Sequence, residues 1–205
     1  MQKTNIYKSS KTLRFITIIF SVFQFSFSYS QVYDGQIISK SNDTTTVKIL
    51  IKGDMIFKNN KILSLQKKVT VLTNTTEKDY FPKDLKSFKI RMNDKVKVYD
   101  NVNDLEFAER MYANKLKLYY KLVWQETKIS PYFIIFRVFM VLKPNGEIKN
   151  IIPNGLSRLI TQDEMLAKFT DCKISLDKIK NDEMKIRNEE KLVEFIADYE
   201  KNCFE

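Results

Sequence analysis

Polar and apolar residues alternate with a period near two from about Gln36 to Ile152, and the period lengthens to about 3.6 after Pro153. The first belongs to strands, whose side chains point alternately to two faces, and the second to helices. Residues 36–39 and 45–51 flank Ser41-Asn42-Asp43, whose side chains bond their own backbone and favour a reversal, so they predict a hairpin. Residues 56–57 and 62–65 flank Asn59-Asn60, and asparagine tolerates the positive φ of a tight hairpin turn. Residues 69–72, 80–81, 88–90 and 96–99 continue the series, with Pro82 bending the chain before Asp84-Leu85.

The clearest alternation is that of Leu116, Leu118, Tyr120, Leu122 and Trp124 against Lys115, Lys117, Tyr119 and Lys121. One face should meet a core and the other water. Tyr119, among lysines, is therefore expected to be at least partly exposed. Residues 133–142 are apolar except for Arg137, which predicts a strand covered on both faces at the centre of the sheet. Pro144-Asn145-Gly146 turns the chain back through 148–152. Residues 104–113 fit either a short helix or an irregular strand.

Beyond Pro153, Thr161 and Glu164 form a capping box ahead of Met165, Leu166 and Phe169. Ser175 is expected to cap a short helix holding Leu176 and Ile179, and a longer helix from about Glu189 aligns Leu192, Phe195, Ile196, Tyr199 and Cys203 on one stripe. The fold class is α+β: an antiparallel sheet, as a partial barrel or sandwich, over residues 31–153, then a C-terminal helical segment over 154–205 packed on it.

Residues 1–30 read differently. Lys3, Lys8, Lys11 and Arg14 precede an apolar run from Phe15 to about Phe27, and small side chains stand at Ser28 and Ser30. This is the pattern of a secretory signal peptide cleaved after Ser30. The run is shorter than the ~20 apolar residues of a spanning helix, and no later stretch is long and apolar enough to cross a bilayer as a helix. About 175 residues would remain, the length of one domain or of a domain with an appendage. The formal charge of +10 owes four units to the leader, and the remaining lysines are scattered, which suits a solvated surface and gives nucleic acid no basic run to meet.

Histidine is absent, which removes the commonest neutral-pH acid and base, the usual zinc ligand and imidazole-activated nucleophiles. No metal site and no cofactor is expected. Catalysis would have to rest on carboxylates, and no spacing marks two of them as partners. Cys172 and Cys203 in an exported chain are expected to form a disulfide, the alternative being two buried thiols. Arg137, a lone guanidinium in an apolar strand, either holds an anionic ligand or pairs with a neighbouring strand's carboxylate or reaches solvent. Tyr112, Tyr119, Tyr120, Trp124, Tyr132 and Phe133 either form a stacking platform or are core. Asn42-Asp43-Thr44 and Asn74-Thr75-Thr76 match a glycosylation sequon.

The export signal ending in Ser30-Gln31-Val32-Tyr33, the stretch from Tyr80 to Phe88, the strand from Lys115 to Tyr120, and Asp171-Cys172 followed by a helix ending near Cys203 together resemble uncharacterised secreted proteins of Bacteroidota. The resemblance implies a periplasmic, outer-membrane-associated or extracellular setting. The expected function is a non-catalytic binding or scaffolding module for an envelope protein, glycan or lipid component, with Arg137 and Tyr119 as candidate ligand-binding residues. A histidine-independent carboxylate hydrolase or transferase, or a carrier of apolar ligands in a barrel interior, are the alternatives.

Overall fold

Alternation becomes ten antiparallel strands in a computed structural model, which describes residues 29–53, 58–74, 76–127, 130–153 and 160–204. The signal segment up to Ser28 and the strand expected at Ile56-Phe57 lie outside them. In chain order the strands are β1 (Tyr29–Ser39), β2 (Thr44–Gly53), β3 (Val69–Thr73), β4 (Thr76–Tyr80), β5 (Leu85–Met92), β6 (Lys95–Asn101), β7 (Phe107–Ala113), β8 (Lys117–Thr127), β9 (Ser130–Leu142) and β10 (Ile148–Ile151). The helices are α1 (Lys58–Lys67), α2 (Gln162–Lys168), α3 (Lys173–Lys180) and α4 (Glu189–Cys203).

The sheet is single and open, in the order β10-β9-β8-β7-β6-β5-β1-β2-β3-β4. It is neither a closed barrel nor a two-sheet sandwich. β1 pairs with β2 on one side and β5 on the other, so two meanders leave from it in opposite directions. Turns form where the sequence supplies residues that tolerate positive φ: Asn42 (70°), Asn93 (47°) with Asp94 (60°), and Gly146 (84°). Residues 107–113 are strand β7, irregular as one of the two expectations had it, with a register shift between Arg110 and Tyr112.

The four helices among the described residues pack on one face. Ile49, Ile51, Val71, Phe88, Tyr99 and Phe107 gather with Leu65 of α1, while Leu118, Tyr120, Leu122, Phe139 and Ile151 gather with Met165, Phe169, Leu192, Phe195 and Tyr199. α1 touches β2 and β3 as well as β7 and β8, so this inner face is concave around it. Burying the large side chains contributes on the order of 2 kcal/mol each.

Four expectations are corrected. Asn59-Asn60 is not a hairpin turn but lies in α1, because Ile62, Leu63 and Leu65 on its helical face reach apolar partners in both halves of the sheet; tertiary burial overrides the local turn signal. Ser175 is not a cap: Cys172 is the N-cap of α3 without a side-chain bond, and Ser175 is buried inside the helix donating to Asp198. β9 is covered on both faces, with Phe139 and Val141 inward and Met140 outward against Tyr119 and Ala108, yet it lies next to the edge strand β10. Trp124 does not complete the buried face, since it is 48% exposed. The expected cap at Thr161 stands, accepting from the Glu164 N–H, and α4 has a cap the sequence reading did not name, Asn188, which accepts from the Lys191 N–H. Glu164 turns its carboxylate to Ile152 N–H instead of closing the box.

Candidate functional site

Arg137 points inward from β9, and its guanidinium faces Glu189 on α4 at 3.6 Å. Its ion-pair partner therefore comes from a helix and not from a neighbouring strand. The two, with Phe139, Pro153, Ile160 and Arg187, line a cavity of about 270 Å³. Arg137 keeps 39% of its side chain exposed, so the apolar strand does not force a desolvated charge.

Tyr119 is not exposed. It is 3% accessible on the outer face, where its hydroxyl donates to Asp100 Oδ2 at 3.0 Å. Arg110 grips the same carboxylate with Nε at 2.7 Å and Nη2 at 2.5 Å. Asp100, Ala108 and Arg110 come from β6 and β7, and Val102 in the connecting loop packs over them. Burial first, and the Asp100 charge second, push the Tyr119 hydroxyl well above its ordinary pKa. Sequence reasoning could place Tyr119 on the lysine side of β8 but not see the neighbouring strands that cover it. Tyr120, 9% exposed, is core, and the side chains of Tyr132 and Phe133 lie outside the described residues.

Cys172 and Cys203 come together with Cα atoms 5.9 Å apart, at disulfide distance. Beside them is a network the sequence did not mark. Lys143, 4% exposed, donates to Asp171 and, at 3.0 Å, to Glu147. The Tyr199 hydroxyl reaches both Asp171 oxygens at 2.8 and 2.9 Å, and Lys149 donates to Asp171 and to the Lys168 carbonyl. Partial burial would raise the Asp171 carboxyl, but the Lys143 and Tyr199 hydrogen bonds hold it at about 2. Burial opposes the charge on Lys143, and its bonds to Asp171 and Glu147 more than compensate, so that ammonium is held above its ordinary pKa. The only advance signal was Lys143 standing before the Pro144-Asn145-Gly146 turn.

On the outer face, β1, β2, β5 and β6 enclose a groove of about 410 Å³ lined by Asp34, Gln36, Thr46, Lys89, Arg91 and Val96, with Gly35 and Ile90 at its floor. The register sets Gln36 opposite Lys89 and Gly35 opposite Ile90. A Cβ on Gly35 would meet the Lys89 carbonyl oxygen at 2.6 Å and Ile49 Cδ1 at 2.5 Å, so only glycine lets β1 and β5 close here.

These features define an α+β protein whose described helices all roof one side of the sheet. No family model, curated protein or solved structure matches the chain. Among the described residues no group of three or more Asp, Glu or Cys is placed to hold a metal ion, and no helix is long and apolar enough to cross a membrane.

Proposed function

We propose that this chain is an exported envelope protein of the type its resemblance to secreted Bacteroidota proteins suggests, and that it binds or scaffolds a partner without transforming it. The observation that carries the proposal is the one-sidedness of the sheet among the described residues: α1 to α4 share the inner face, and the outer face carries a groove. The buried carboxylates favour this over a carboxylate enzyme. Asp100 is clamped by Arg110, Glu109 by Lys97 at 2.7 Å, Asp198 by Lys178, and Glu200 by Leu116 N–H at 2.6 Å. Asp171, at about 2, is ionised at neutral pH and has no proton to donate. Cleavage after Ser30 would take the first two residues of β1, with their pairing to Gly53 and Lys52 of β2, and would leave the ladder from Gly35 to Ser39 that joins β1 to β5.

The test follows the natural product and its surface. N-terminal sequencing should begin at Gln31, and the protein should co-sediment with envelope membranes and peptidoglycan. Val32→Asp and Val96→Asp, at outward positions 50% and 55% exposed, should weaken that association, whereas Ile174→Asp, at an equally exposed helix position (56%), should not. Cytosolic material starting at Met1, or equal behaviour of all three variants, would overturn the proposal.

A further inference from the structure

The outer-face groove shows a charge imbalance that points to its ligand. Three carboxylates on this part of the face each take a lysine: Asp34 takes Lys48 at 2.6 Å, Glu77 takes Lys52 and Asp79 takes Lys68. Farther along the face, Asp100 takes Arg110 and Glu106 takes Lys121 at 2.5 Å. Lys89 and Arg91, both in the groove wall, are left without a hydrogen bond or ion pair to any described residue. They stand two residues apart on the same face of β5, so their Cα atoms are separated by roughly 7 Å. Long side chains at that spacing can close on a single anion between them.

The remaining wall is polar and neutral or already neutralised. Gln36 and Thr46, paired across β1 and β2, bring an amide and a hydroxyl. Asp34, kept below the usual carboxylate range by its hydrogen bond to Lys48, stays ionised and accepts hydrogen bonds. About 410 Å³ lies within the range of small-molecule sites, roughly 300 to 1,000 Å³. The wall holds no aromatic side chain on which a neutral sugar ring could stack.

We propose that this groove binds a phosphorylated sugar: the phosphate between Lys89 and Arg91, the ring hydroxyls against Asp34, Gln36 and Thr46. A phosphate monoester carries about −1.5 to −2 charges at neutral pH, which suits two cations without an ion-pair partner, Arg91 feeling the Asp34 carboxylate only at longer range, and the guanidinium fork fits two phosphate oxygens. The inference rests on the outer face being the binding face and adds the chemistry of what is bound there.

Glucose 6-phosphate titrated into the 15N-labelled protein tests it. The amides of Gly35, Gln36, Lys89, Ile90 and Arg91 should shift together and saturate in the millimolar range or below, with affinity falling as salt is raised from 50 to 500 mM. Lys89→Gln/Arg91→Gln should lose at least tenfold in affinity while keeping the wild-type spectrum elsewhere, because both residues are on the surface. Glucose alone should bind at least tenfold more weakly. Inorganic phosphate should shift only the β5 amides. Equal binding of glucose and its phosphate, shifts confined to other surfaces, or an unaffected double variant would each overturn the assignment. If Val32→Asp and Val96→Asp weaken envelope association while glucose 6-phosphate leaves the groove amides unmoved, this ligand is wrong and the binding face stands. If neither holds, both fail.

Discussion

Replacing Gln66 by leucine should destabilise the protein by about 1 to 4 kcal/mol, although the substitution keeps the side-chain volume and adds apolar surface. The β7–β8 ladder stops at Glu109 opposite Tyr120, and in an antiparallel pair a residue's N–H and C=O point to the same neighbour. At Leu122 the Gln66 side chain of α1 takes the missing strand's place. Leu122 N–H donates to Gln66 Oε1 at 2.7 Å, and Gln66 Nε2 donates to the Leu122 carbonyl at 2.9 Å. Both residues are buried, at 5% and 3% exposure, so no water is at hand to replace the amide. Stranding one buried donor and one buried acceptor costs about 1 to 3 kcal/mol each, and the extra apolar burial of leucine offsets about 1 to 2 kcal/mol of it.

Guanidinium unfolding reads the difference as a lower midpoint at unchanged slope. Gln66→Glu is the companion variant. It keeps the acceptor for Leu122 N–H and sets a carboxylate against the Leu122 carbonyl, a buried charge without a partner. Burial raises such a carboxyl's pKa. Its deficit relative to wild type should therefore shrink as pH falls through that raised value, where the protonated acid donates to the carbonyl again. A Gln66→Leu protein within about 0.5 kcal/mol of wild type, the usual range for an unremarkable surface change, would refute the argument. So would a Gln66→Glu deficit that does not vary between pH 7 and 4.

Reduction, or Cys172→Ser, should lower stability by about 3 to 4 kcal/mol on the chain-entropy account of a 31-residue separation, read as a melting-temperature difference with and without reductant. Gly35→Ala should cost about 1 to 3 kcal/mol by overpacking, since its Cβ would stand 2.6 Å from the backbone oxygen of Lys89; denaturant midpoints check it. Asp171 has a folded pKa of about 2 against an ordinary 3.8, so its contribution is complete above pH 4 and is lost as pH falls towards 2. With 41% of the side chain exposed, screening reduces the effect to about 1 kcal/mol, and stability titrations of wild type and Asp171→Asn should converge below pH 2.

The parts of this fold that were legible in the sequence are those decided within a few residues. Asn42, Gly146 and the capping residue Thr161 act on their own backbone, so their signals survive without tertiary context. The misread positions are those where a distant element decides. Asn59-Asn60 became helical because the following turn could bury Leu65 and bond β8 through Gln66. Tyr119 was placed on the correct side of β8, but whether that side is wet depends on Asp100 and Arg110, and their arrival is set by strand register. Lys143 looked like one more surface lysine, and its burial follows from Asp171 and Tyr199 being brought to it by the helices. Of the candidate ligand residues, Arg137 lines a cavity as a half-exposed partner of Glu189. Tyr119 is enclosed in a salt-bridge cluster, which takes it out of reach of a ligand.

The buried polar side chains fall into two sets that bear on function. On the inner face several join a helix to something else: Gln66 ties α1 to β8, Glu200 ties α4 to the turn before β8, Ser175 ties α3 to Asp198 of α4, and Tyr199 ties α4 to Asp171, while Glu109 takes Lys97 and the Tyr99 hydroxyl from the neighbouring strand. Such bonds are specific in direction, so they fix the helices where apolar packing alone would let them slide. On the outer face the polar pairs run from strand to strand, as in Lys48–Asp34 and Arg110–Asp100. Among the described residues they hold no second layer in place. A helical layer locked from one side and a sheet surface committed only to itself make a rigid platform. The floor of the groove around Gly35 is strand backbone held by register on both sides, so a ligand there would meet a fixed floor, and the ordering it costs is confined to the long side chains of Lys89 and Arg91.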